Sequence, residues 1–340
     1  MGEIYINEIY SKQLGKYDGY ESFCYQNCLR ILLENRYGLD ALLLLNTVPT
    51  IEFENNNKLF WGEKDGFRSL LPSVDQYIER TYYNENIDGN QVCNDNLKYI
   101  YKNEKPIIVG VDPYYLPYTS NYRCKHASHT IILCGYDLKK GNVYIIDWYK
   151  TWYYKGKLDI KTFIKARNSK NEKDSSFYSG TPICNNWATI KKIPNISEDK
   201  LFGETVKLAK SYYYNFSEEG IISALFSLQG CIKLLEDESK YNDLYFGMYT
   251  LHNRKKIFME YVDYYLKFKY KNNNVDFIRN LKKNIEHCEV VGILLLKQTK
   301  RYSKNTNDRI IRNINELIEE EKDMIEKFEN LFSKGEADCE

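Results

Sequence analysis

HTIILCGY (129–136) and NVYIID (142–147), joined by DLKKG, form the stretch from which the fold class is read. Both runs are dominated by Ile, Val, Leu and Tyr, and the linker carries turn residues. This predicts two strands paired antiparallel across a hairpin-like turn. Such a pairing brings His129, at the start of one strand, to Asp147, at the end of the next. An Asp that accepts from one imidazole nitrogen fixes the tautomer and leaves the other nitrogen for a nucleophile. Each residue alone is also explained as a core histidine or a turn acid. Their joint placement is what points to chemistry. Of the four histidines in the chain, His129 opens this segment and His126 lies three residues before it.

Moving towards the N-terminus, PIIVGV (106–111) reads as a third strand and LKYIYKNEK (97–105) as the end of a helix. VDPYYLPY (111–118) follows the strand, with Pro113 and Pro117 stiffening it. Asp112 beside Tyr114, Tyr115 and Tyr118 suits a lip for a substrate amine or phenol, and a rigid structural loop equally well. Ser22 to Tyr37 reads as a helix with an apolar stripe at Cys24, Cys28, Ile31 and Leu32. Ser22 is its expected N-cap and Gly38 its stop. IYINEI (4–9) is an expected opening strand.

A cysteine in the first turn of that helix meets unpaired N–H groups and the positive end of the helix dipole, both of which favour a thiolate. The same N–H groups can stabilise an oxyanion on a substrate carbonyl. Cys24 is placed in this way. The helix by itself equally accommodates Cys24 as a small buried hydrophobe, like Cys28 one turn on. A rival grouping sets Cys24 and Cys28 with His126 and His129 as four soft zinc ligands. Two cysteines in mid-amphipathic register are an unusual zinc pair, and the metal-free reading is preferred.

Towards the C-terminus, Leu158–Arg167 reads as a helix and NWATIKKI (186–193) as a closing strand. After Pro194 the periodicity is helical, near 198–214, 218–237, 244–271, 274–298 and 306–333. Arg254, Lys255, Lys256, Lys267, Lys269, Lys271, Arg279, Lys282 and Lys283 read as a solvated basic face, or alternatively as a docking surface for an acidic protein.

The totals fit this layout. The chain has 340 residues, a formal net charge of +1, 43% hydrophobic and 28% charged residues, so it is globular and long enough for two domains. No global field favours nucleic acid or a membrane surface. The first twenty residues lack an apolar signal region, and the longest apolar runs, ALLLL and VVGILLL, are too short to span a bilayer. Nine scattered cysteines then suggest free thiols in a reducing cytoplasm. No phosphate-binding glycine loop, G-x-S-x-G or H-E-x-x-H motif occurs.

FCYQNCLRILLENRYG, IIVGVDPYYLPY and HTIILCGYD…VYIID together resemble the family named after the N-terminal part of the butirosin-biosynthesis protein H. The wider group is similar to C39-type papain-like peptidases. The resemblance implies an α+β fold. Residues 1–195 would be a papain-like catalytic domain whose antiparallel sheet packs on the nucleophile helix, and residues 196–340 an α-helical accessory domain. It also implies an acyltransferase or amide synthase of antibiotic and other specialised-metabolite biosynthesis. Such an enzyme takes an acyl group from an acyl or peptidyl carrier protein's phosphopantetheine thioester and passes it to a small amine. Carried over by motif, Cys24 is the nucleophile, His129 the base and Asp147 the third member. No cofactor, metal, nucleic acid or membrane is implied. Asp112, Tyr114, Tyr115, Tyr118 and Tyr20 are the expected substrate contacts. The glutamine that C39-type enzymes place shortly before the cysteine is missing from YDGYESF. Tyr17, Tyr20 and the N–H of Cys24 are the remaining oxyanion donors. A cysteine peptidase or amidase, and an inactive binding module, are the alternatives.

Overall fold

The computed structural model describes the chain except residues 1, 16–22, 50, 56–58, 63–69, 85, 150, 151, 177, 192–194, 215–219, 236–239, 270–274 and 334–340. Contacts divide it into two compact units: Met1–Leu45 with Ser69–Ile196, and Asn46–Arg68 with Ser197–Glu340.

In chain order the elements are β1 (Ile4–Ile6), α1 (Cys24–Tyr37), α2 (Ala41–Leu44), β2 (Glu52–Asn55), β3 (Leu59–Gly62), α3 (Pro72–Asp75) and β4 (Ile78–Thr81). There follow α4 (Gly89–Asn103), β5 (Ile107–Val111), β6 (His129–Asp137), β7 (Asn142–Asp147), β8 (Tyr154–Asp159), α5 (Ile160–Arg167) and β9 (Trp187–Ile190). The fold is α+β. One antiparallel sheet in the first unit runs β4-β9-β5-β6-β7-β8, and β1 pairs with the far end of β6.

The expected hairpin forms between β6 and β7, in the register Ile132↔Ile146 to Asp137↔Asn142. IIVGV of β5 is buried at every position, and HTIILCGYD of β6 is buried at all but Thr130. Strands covered on both faces read as continuous apolar runs, which is why this stretch lacks simple alternation. Leu97 and Ile100 of α4 and Phe163 and Ala166 of α5 pack with Val109, Val111, Ile131, Leu133 and Ile145. Each such large side chain contributes about 1.5–3 kcal/mol over being left exposed. One position along from Ile131, Thr130 meets α1, where the Cys28 thiol donates to its carbonyl at 3.6 Å. Gly135 sits beside a β-bulge at the point where β1 crosses. A Cβ there would lie 2.2 Å from the Tyr5 carbonyl oxygen, so only glycine permits that pairing.

Three expectations are corrected. The opening strand stops at Ile6, because Asn7 caps a 3₁₀ turn over Glu8–Ser11 and its side chain accepts from Ile9 N. The helix read over Leu158–Arg167 starts at Ile160; Asp159 caps it by accepting from Thr162 N, and the preceding residues form edge strand β8. Ser22 lies outside the described residues, and α1 begins at Cys24 with Phe23 in the N-cap position and no side-chain cap bond. At the other end Gly38 closes α1 with φ +64°, as a left-handed C-cap requires.

The second unit holds the β2–β3 hairpin with α6 (Glu198–Tyr214), α7 (Ile221–Leu234), α8 (Tyr241–Lys269), α9 (Val275–Gln298) and α10 (Lys304–Ser333). Here α8 packs on α9 and β3, and α10 packs on α9 and α7. The basic face read from the sequence is not continuous. Arg254 and Lys255 are buried; Arg254 donates to the Asn46 carbonyl at 3.2 Å, and the Lys255 ammonium meets Glu321 and Asn284. Among the described residues no helix is long and apolar enough to cross a membrane.

Candidate active site

The start of α1 and the facing ends of β6 and β7 bring Cys24, His129 and Asp147 together. The sheet sets the acid–imidazole pair, and His129 Nε2 lies 2.9 Å from Asp147 Oδ1. The imidazole's other nitrogen, Nδ1, is left for the thiol, and His129 and Cys24 share a side-chain hydrogen bond. His129 and Asp147 are buried, while Cys24 keeps partial exposure. The second carboxylate oxygen of Asp147 accepts from the Tyr118 hydroxyl at 3.0 Å. The Tyr118 ring stacks on Tyr154, with centroids 3.8 Å apart. The acid is thus held from both sides and cannot swing off the imidazole.

Two further contacts bind the helix to the strands. Asn27, one turn after Cys24, donates from Nδ2 to the Trp148 carbonyl at 2.5 Å. This bond ties α1 to the residue that follows Asp147. Tyr149 and Trp152 then present edges to the His129 ring at centroid distances of 5.3 and 5.7 Å. These aromatic rings line the imidazole with apolar surface. The sequence reading did not single out Asn27, Tyr149 or Trp152. The signal was present in the aromatic run WYKTWYY immediately after Asp147.

The electrostatics separate the two helix cysteines. Burial works against a Cys24 thiolate, but the His129 hydrogen bond and charge, with Thr130, outweigh it and hold the thiol below its ordinary value. Burial likewise opposes charge on His129, yet Asp147 and Cys24 raise its pKa to about 10. A thiolate–imidazolium pair is the state these neighbours favour. Cys28 goes the other way: burial, then the negative charges of Cys24 and Asp147, push its thiol well above the ordinary value. Labelling by iodoacetamide should therefore modify Cys24 at a pH where an ordinary thiol is inert, and leave Cys28 unmodified. In His129→Ala the onset of Cys24 labelling should move up in pH towards that of a free thiol, followed by peptide mass mapping over a pH series. The same onset in both proteins would show that His129 does not hold the thiolate.

The predicted substrate lip is built differently. Asp112 is fully buried, and its carboxylate has four donors: Tyr114 N (3.0 Å) and Ala127 N (3.2 Å) on Oδ1, His126 Nδ1 (2.7 Å) and Ser169 Oγ (2.6 Å) on Oδ2. A carboxylate offers about four lone-pair sites, so none is left for a substrate amine. Asp112 locks its loop instead. Tyr114 stacks on His126 with centroids 4.1 Å apart, and Tyr115 lines an adjacent cavity. Tyr118 is engaged with Asp147, as described. Tyr17 and Tyr20 lie outside the described residues. The four zinc candidates are not gathered, because His126 turns to Asp112 and His129 to Asp147. No group of three or more His, Cys, Asp or Glu among the described residues could hold a metal ion.

Residues 51–148 match the model of the family described as butirosin biosynthesis protein H, N-terminal. This is the family that the sequence blocks resemble. The matched segment contains Asp112, the tyrosine-rich turn, His129 and Asp147, and starts after Cys24. A search of the curated proteins finds no match.

Proposed function

We propose that this chain is a cysteine-dependent acyltransferase of papain-like architecture that forms an amide in antibiotic-type biosynthesis. The donor is an acyl group held as a thioester on a carrier protein, and the acceptor is a small amine. The observation that carries this reading is the Cys24–His129–Asp147 line at the start of α1, with the thiol held low and the imidazole held high. The family match supports the biosynthetic setting, and it covers two of the three residues.

The chemistry follows from the geometry. The Cys24 thiolate attacks the thioester carbonyl carbon, and negative charge develops on the carbonyl oxygen. The N–H of Cys24, at the uncapped first turn of α1, is the proposed donor to that oxygen. The donor C–S bond then breaks, and the leaving thiolate takes the proton from His129. The acyl group now sits on Cys24. A neutral amine attacks next and passes its proton to His129, and the C–S bond to Cys24 breaks to leave the amide. Asp147, pinned by Tyr118, orients the ring and stabilises its charged form through both halves. Tyr149 and Trp152 keep water from one side of the imidazole, which favours an amine over hydrolysis.

Incubation with an acyl-carrier thioester and a panel of amines should yield an amide, read by mass spectrometry of the small products. Simple peptides should remain intact under the same conditions. Peptide cleavage without amide formation would replace this reading with a cysteine peptidase or amidase.

A further inference from the structure

A polar cavity of about 410 Å³ lies in the first unit, lined by Tyr115, His126, Lys165, Asn168, Ser169, Lys170 and Glu172. Its wall is rigid where it matters. His126 is fixed by Asp112 through Nδ1 and by the face of Tyr114, and its backbone N–H donates to Asp174 Oδ2 at 2.6 Å. Ser169, also buried, holds the same Asp112 oxygen and accepts from Asn171 N at 2.9 Å. With Nδ1 committed, the imidazole has only Nε2 left for the cavity. Lys165 and Lys170 are exposed, and neither makes an ion pair among the described residues. Two unpaired ammonium groups at one concavity form a site for an oxyanion, and the neutral His126 ring, donating from Nδ1 to Asp112, offers Nε2 as an acceptor for a hydroxyl or N–H beside it. Glu172, on the same lining, opposes a bare anion and accepts from a hydroxyl or N–H beside it.

We infer that this cavity is a subsite for a phosphate ester that carries a hydroxyl or N–H donor next to the phosphate. His126 lies three residues from His129, so their Cα atoms are at most about 11 Å apart. The cavity wall is therefore continuous in chain with the strand that carries His129. Taking the proposed acyl transfer as given, the donor's phosphopantetheine arm has this chemistry: a phosphodiester followed by a hydroxyl and amides. A phosphorylated small substrate is the other source of the same group.

The test is calorimetric titration of the full chain in the Cys24→Ala background, so that binding is read without acyl chemistry. The probes are pantetheine 4′-phosphate, pantetheine and glucose 6-phosphate. Pantetheine 4′-phosphate should bind more tightly than pantetheine. Lys165→Ala/Lys170→Ala should weaken it by about 100-fold, about ten-fold for each charged hydrogen bond lost. Lys161→Ala, an exposed change on the same helix, should leave binding as it was. Glucose 6-phosphate binding as tightly would keep the subsite and assign it to a phosphorylated small substrate. Equal affinity for the two pantetheine compounds, or an unaltered affinity in the double variant, would overturn the inference. If phosphate binding survives while no carrier thioester is ever turned over, the acyl-transfer reading fails and the subsite stands.

Discussion

Cys24→Ala should, under the proposed acyl transfer, leave no acyl adduct on the protein after exposure to a carrier thioester, whereas Cys28→Ala should still be acylated. The two thiols sit one turn apart on α1, so helix position alone does not choose between them. The neighbours do. Cys24 is partly buried and bonded to His129; Cys28 is fully buried and donates to the Thr130 carbonyl. The thiolate is the reactive species, so under the proposed reaction the cysteine whose pKa is lowered is the one expected to carry the acyl group. Loss of a nucleophile that works as a unit with its base costs about 10⁴-fold or more in rate. Intact-protein mass spectrometry reads the adduct directly, and product formation reads the rate. An adduct that persists in Cys24→Ala and disappears in Cys28→Ala would invert the assignment.

Lys255→Met should destabilise the second unit by about 3–5 kcal/mol, the usual cost of breaking one side of a buried ion pair. Both Lys255 and Glu321 are fully buried. Burial already pushes the Lys255 ammonium down in pKa, against the attraction of nearby Cys288 and Glu320. Removing it leaves the Glu321 carboxylate buried without its countercharge, with Oε2 lacking any hydrogen-bond partner among the described residues. Removing both charges, in Lys255→Met/Glu321→Leu, should recover most of the loss, because the desolvation cost disappears with the pair. Urea unfolding followed by far-ultraviolet circular dichroism checks this, with each unit's transition fitted separately. A double variant as unstable as the single one would show that packing, not an orphaned charge, sets the effect.

The two parts of the molecule differ in how much their residues reveal. In the sheet unit, continuous apolar runs ended by turn residues mark the central strands, and the short DLKKG link leaves one sensible pairing for them. His129 and Asp147 are legible for that reason, since a hairpin's register follows from its turn. Edge strand β8 is hidden because YKGKLD carries Lys on one face and only Tyr154 and Leu158, separated by Gly156, on the face that meets the core. Lys255 is misread for the opposite reason. Its charge reads as solvent-facing, and only the arrival of Glu321 from another helix makes its burial tolerable.

Local pattern is enough to specify the α+β class, the helical run after Pro194, and the meeting of His129 with Asp147 at the strand ends. Those features depend on local pattern and short-range pairing. Long-range packing settles which cysteine the imidazole reaches, that Tyr118 braces Asp147, and that Asp112 is spent inside its own loop. These depend on partners separated by tens of residues, whose meeting no local period encodes. A lone pair is free or occupied only once the chain has folded around it.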